Sequence, residues 1–202
     1  MRTENIKVWD LFIRCFHWSL AGLFVIAYLT AEEIEWLHVW SGYGILMLVG
    51  LRLVWGLIGS HHARFINFIK PPKAAFTYIG GLLRGTAPRC LGHNAAGSWM
   101  VILLLTSLTL TGASGLLHYG EMGKGPVAAD TAQSNTSETL ARSDEHSDHD
   151  EGVWYELHEL FANLSLTLVL VHIAGVMASS LAHRENLARA MITGKKRAPK
   201  ND

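Results

Sequence analysis

The chain has 202 residues, 50% of them hydrophobic, and its 17 basic and 17 acidic side chains cancel. Two cysteines, Cys15 and Cys90, are too few and too scattered for a disulfide framework or a thiolate metal site, and no C-x-x-C-H run exists for covalent haem attachment. A nucleophile motif, a glycine-rich nucleotide loop and a zinc spacing are also missing from the sequence.

The first apolar stretch runs from about Val8 to Ala31, long enough to cross a bilayer, and Arg2, Lys7 and Arg14 precede or open it. No small-residue cleavage pattern follows, so it reads as a retained span rather than a signal peptide. It contains His17 and, five residues on, Gly22. After the acidic turn with Glu32, Glu33 and Glu35 comes a second span, about Trp36–Ile58, with His38, Gly42 and Arg52. The following connection is basic, with Arg64, Lys70, Lys73, Arg84 and Arg89. Within it Pro71-Pro72 breaks the chain, and Lys73 to Leu83 reads as a short helix on the membrane surface, with Phe76, Ile79, Leu82 and Leu83 toward lipid. Gly85 and Pro88 end it, and Cys90 and His93 beyond it read as ordinary residues.

A third span runs from about Ala95 to Leu117, with Gly112, Gly115 and, at its end, His118. The stretch from about Glu121 to Gly152 is rich in Ser, Thr, Ala, Asp and Glu and poor in large apolar residues, which predicts disorder. His146 and His149 lie there among acids, and a solvated acidic tether is the expected reading over a weak metal site. The fourth span, about Trp154–Ala182, carries His158 and His172, with Gly175 three residues on. A basic tail over 184–202 closes the chain. The expected fold is thus an all-α membrane protein, a single domain built as a four-transmembrane-helix bundle. Trp9, Trp36, Trp55, Trp99, Trp154 and Tyr155 stand near span boundaries as interfacial anchors do.

Charge sets the expected orientation. Basic residues crowd the N-terminus, the middle connection and the tail, while the other two connections are acidic. Basic segments stay inside, so both termini are expected to be cytoplasmic, in a bacterial inner membrane if the host is bacterial. The same topology accounts for the basic residues without nucleic acid.

The four histidines inside apolar spans then sort by depth. His158 and His172 are 14 residues apart, about 40° short of four helical turns and about 21 Å of rise, so both rings leave one face at two levels. His17 and His172 lie at similar distances from the inner side, and His38 and His158 near the outer side. One histidine in a membrane helix is often only a hydrogen-bond partner. Four at two matched levels point to two bis-histidine haem groups, since imidazole is a standard axial ligand of haem iron. Glycines beside them, Gly42 and Gly175 above all, would let a flat macrocycle approach. Arg52 follows His38 by 14 residues on the same face, and a buried arginine needs an anion: a haem propionate, with Arg14 as a second cation, or lipid headgroups by snorkelling.

The chain resembles the bacterial cytochrome b561 and nickel–iron hydrogenase b-subunit family of diheme membrane cytochromes. The resemblance rests on R-C-F-H-W-S at Arg14–Ser19, L-H-V-W-S-G-Y at Leu37–Tyr43, L-R-L-V-W-G at Leu51–Gly56 and G-H-N-A-A-G at Gly92–Gly97. It continues with L-H-E-L-F-A-N at Leu157–Asn163, V-H-I-A-G at Val171–Gly175 and R-E-N-L-A-R-A-M-I-T-G-K-K at Arg184–Lys196. It implies non-covalent haem b on His17, His38, His158 and His172, with span one pairing with the later histidine of span four and span two with the earlier. It also implies electron transfer between a quinone pool and a second partner, a periplasmic c-type cytochrome or a respiratory enzyme subunit. A self-contained superoxide:quinone or ferric reductase, and a metal or ion transporter using the membrane histidines, are the competing readings. A homodimer is compatible with four spans but not demanded by them.

Overall fold

The structure is a computed structural model that describes residues 5–61, 63–90, 92, 94–128 and 152–197. Seven helices and two short strands occur among these residues: β1 (Asn5–Lys7), α1 (Leu11–Leu29), α2 (Glu35–Ile58), α3 (Phe65–Phe68), α4 (Pro72–Leu83), α5 (Ala95–Glu121), α6 (Val153–Ala182), α7 (Leu187–Thr193) and β2 (Lys195–Arg197). Four of them, α1, α2, α5 and α6, are long and apolar enough to cross a membrane, as expected from the apolar runs. Residues 129–151 of the acidic stretch, with His146 and His149, and also His93, lie outside the described residues, whereas Glu121, expected to open that stretch, is the last residue of α5.

The chain divides into two compact units. The larger holds everything up to Leu105 and from Thr167 onward. In it α1 does not begin at Val8, because Asp10 stops the apolar run and caps the helix, its Oδ1 accepting from Ile13 N at 2.8 Å. Asp10 Oδ2 also accepts from Trp55 Nε1 at 3.2 Å and from the Ser60 hydroxyl. Burial opposes its ionisation, but the hydrogen bonds from Ser60, Ile13 and Trp55 and the charge of Arg52 together hold its carboxyl below the usual value. Around this acid Val8, Trp9, Ile13 and Ala63 are buried, with Phe12, Trp55 and Met191 against them.

The two strands join the ends of the described chain. β1 and β2 pair antiparallel with Ile6 opposite Lys196. Gly194 makes this ribbon possible: its φ is +76°, and its carbonyl accepts from Val8 N at 2.8 Å and Trp9 N at 3.2 Å. A Cβ there would lie 2.7 Å from the Trp9 carbonyl oxygen.

Helix α4 starts where Pro71-Pro72 predicts, since proline suits the first helical turn. Ala75, Tyr78 and Ala95 are buried together, with Leu82 and Trp99 packed on them. Phe76, Ile79 and Leu83 are exposed. Leu82 therefore turns inward rather than toward lipid, because it follows Tyr78 by four residues and shares its face. Tyr78 Oη lies 3.2 Å from His183 Nε2.

The smaller unit, Thr106–Leu166, contains the second part of α5 and the first part of α6. Hydroxyl groups hold these two segments together: Ser107 Oγ lies 2.7 Å from Ser165 Oγ, and both serines are buried.

Candidate functional site

In the larger unit His17 and His172 face each other. Their ring centres are 6.3 Å apart and the rings are inclined at 54°. Two metal–imidazole bonds of about 2.0–2.1 Å, one on each side of an ion, would separate ring centres by roughly 6 Å. Both rings are partly buried, and His17 Nδ1 is enclosed without a hydrogen-bond partner. Unlike the Nδ1 atoms of His38 and His158, it has no carbonyl to donate to, and the ring pairing with His172 is not an interhelical hydrogen bond through Nδ1.

His38 is held differently. Its Nδ1 lies 2.8 Å from the carbonyl oxygen of Ala27 on α1. A proton on Nδ1 donated to that carbonyl makes Nε2 the lone-pair nitrogen, the form in which histidine ligates metal. His158, in the smaller unit, repeats the arrangement, with Nδ1 2.8 Å from the carbonyl oxygen of Thr111. Gly115 allows this: a Cβ there would sit 2.7 Å from His158 Nδ1. At Gly42 and Gly175 an added Cβ would meet nothing within 4 Å, as it would at Gly22.

Arg52 is 3% exposed. Its Nη2 donates to the Ala63 carbonyl at 3.1 Å and its guanidinium lies 4.8 Å from the Phe65 ring centre, while Nη1 is buried without a partner. Arg14 donates from Nη1 to the Ile192 carbonyl at 2.7 Å and from Nε to the Asp10 carbonyl at 3.4 Å, so backbone oxygens already engage it. His118 Nδ1 is also enclosed without a partner, with the Tyr155 ring centre 5.3 Å from its own.

The expected inner pair, His17 and His172, is thus brought together within one unit, while His38 and His158 fall one in each unit. Three features went unread in the sequence. Asp10 lay inside what reads as the first apolar run. The carbonyls of Ala27 and Thr111 carry no residue signature at all. Ser107, Thr111 and Ser165 did leave a signal: hydroxyls four residues apart on one span, and one set midway between His158 and His172 on another. Among the described residues no group of three or more His, Cys, Asp or Glu forms a metal cluster.

A family model described as prokaryotic cytochrome b561 matches residues 8–194. None of the curated proteins matches the chain.

Proposed function

The chain belongs to the prokaryotic cytochrome b561 family, and on that premise we propose that it binds two haems and carries electrons between the quinone pool and a second redox partner, a c-type cytochrome or a respiratory enzyme subunit. Its family and its four apolar helices make it a multi-pass b-type cytochrome of transmembrane electron transfer. In the proposal His17 and His172 hold one iron, and His38 and His158 the other.

The observation that carries this reading is the 6.3 Å separation of the His17 and His172 ring centres, which matches what two imidazoles holding one ion between them would need. Support for the second pair is chemical: both rings have Nδ1 on a backbone carbonyl at 2.8 Å, the outer-shell contact that orients ligating histidines. Haem b held by these side chains supplies one-electron iron chemistry. In this reading His17, His172, His38 and His158 would hold the haems, and the chain's work would be to position and tune them. Arg52 offers its unpartnered Nη1 to a propionate, with Arg14 as a further cation at the same end of α1 and α2. Gly42 and Gly175 keep side-chain bulk away from the macrocycle.

The proposed setting is a bacterial inner membrane with both termini cytoplasmic, which follows from the basic ends and acidic outer connections. Exposed Phe76, Ile79 and Leu83 would then rest α4 on the inner lipid surface. Mixing the purified holoprotein with a short-chain quinol tests the electron route. Reduction of the b-type absorption bands is expected. Bands that stay oxidised under excess quinol, yet respond to dithionite, would remove the quinone from the reading.

A further inference from the structure

The smaller unit contains a set of hydroxyl contacts that leads to the backbone carbonyl met by His158. On α5, Ser107, Thr111 and Gly115 follow one another at four-residue spacing and share a face; on α6, His158 and Ser165 are seven apart and share one too. Thr111 Oγ1 donates to the Ser107 carbonyl at 2.9 Å and lies 3.1 Å from Ser165 Oγ. Ser165 Oγ lies 2.7 Å from Ser107 Oγ.

Each hydroxyl has one proton, which assigns the directions. Thr111 spends its proton on the Ser107 carbonyl, so Ser165 must donate to Thr111. Ser165 has then spent its own, so Ser107 must donate to Ser165. The three bonds are mutually consistent and tie α6 to α5 at one register. In apolar surroundings such bonds compete with no water, and a fully satisfied set specifies one packing.

That register decides where His158 meets α5. Its Nδ1 reaches the carbonyl of Thr111, the same residue whose hydroxyl belongs to the set; that carbonyl also accepts from Ser114 Oγ at 3.0 Å. It reaches it only because Gly115 has no Cβ, which would lie 2.7 Å from Nδ1 and 2.8 Å from Cε1.

We propose that Ser107, Thr111 and Ser165, together with the missing side chain of Gly115, are positioning residues for His158: they fix the ring's orientation and its Nδ1–H to carbonyl contact, and so set the reduction potential of the iron that His158 holds. The inference rests on the reading of His158 as a haem ligand. A firm Nδ1–H to carbonyl bond strengthens the imidazole as a donor and stabilises ferric iron. Loosening it should raise the potential of that haem alone.

The test is a potentiometric titration of the holoprotein, followed by visible and low-temperature paramagnetic resonance spectra, in Ser165→Ala, Gly115→Ala and His158→Ala. Ser165→Ala removes two of the three hydroxyl contacts and only one heavy atom. It should move one midpoint potential upward and shift one low-spin signal, with haem content and the other centre unchanged. Gly115→Ala should do the same more strongly, or lose that one haem. Two unchanged potentials and signals in Ser165→Ala, at full haem content, would overturn the positioning role while His158→Ala still lost one haem. Full haem content in His158→Ala would instead overturn the ligand reading beneath it.

Discussion

Replacing Asp10 should damage the first helix pair in a way that separates a helix cap from a charge. The carboxylate caps α1 through Ile13 N at 2.8 Å, accepts from Trp55 Nε1 at 3.2 Å on α2, takes the Ser60 hydroxyl and lies in the field of Arg52. Loss of a helix cap costs about 0.5–2 kcal/mol. Each lost bond to a charged acceptor adds about 1.5–3 kcal/mol where partners stay buried, and less here because Ser60 is exposed. Asp10→Ala should therefore cost about 2–4 kcal/mol in all. Asp10→Asn keeps the capping oxygen for Ile13 N but sets an amide donor where Oδ2 accepted from Trp55 Nε1, so it should cost about 1–3 kcal/mol, less than alanine by the retained cap. Thermal unfolding of the purified protein in detergent reads both. The carboxyl titrates below the ordinary aspartate value of about 4, so its contribution is fully present above that value and is lost as pH falls through the lower folded-state value. The parent should lose this increment in acid, and Asp10→Asn should not. An alanine variant as stable as the parent, or an asparagine variant no better than alanine, would refute the reasoning.

Two further substitutions probe the parts around the site. Gly194→Ala places a Cβ 2.7 Å from the Trp9 carbonyl at a φ of +76°. The left-handed backbone alone costs about 1–2 kcal/mol, so the β1–β2 ribbon should open about tenfold more often, read as faster tryptic cleavage after Lys195. Tyr78→Phe removes the contact to His183 Nε2. About 1 kcal/mol is expected, which makes amide exchange over the C-terminal half of α4 about fivefold faster.

The four spans were legible because about 20 successive apolar residues have few uses other than crossing a bilayer. Helix α4 was legible for a local reason too, a proline pair at its start and Gly85, at a φ of +72°, just past its end. The β1–β2 ribbon was not. Asn5–Lys7 and Lys195–Arg197 are three residues each, polar or basic but for Ile6, and they pair across nearly the whole chain. Only Gly194 in the left-handed region hints at the turn of chain that makes room for it.

The meeting of His17 with His172 could be read by counting residues in from the ends of two apolar runs, because helical rise converts sequence distance to depth. What holds His38 and His158 could not be read that way. Their acceptors are main-chain oxygens of Ala27 and Thr111, and any residue type supplies one. Arg52 was legible as a buried cation, but its neighbours Ala63 and Phe65 come from the connection after α2, where no periodicity predicts them.

The most direct measurement is a pyridine haemochrome count, with a dithionite-reduced minus oxidised spectrum, on the purified protein and on His17→Ala and His172→Ala. The account predicts low-spin b-type bands with two haems per chain in the parent. It predicts one haem remaining in each variant, and the same one in both, because on the proposed reading the two rings would hold a single iron. Two haems retained in either variant, or a folded parent that binds none, would contradict it.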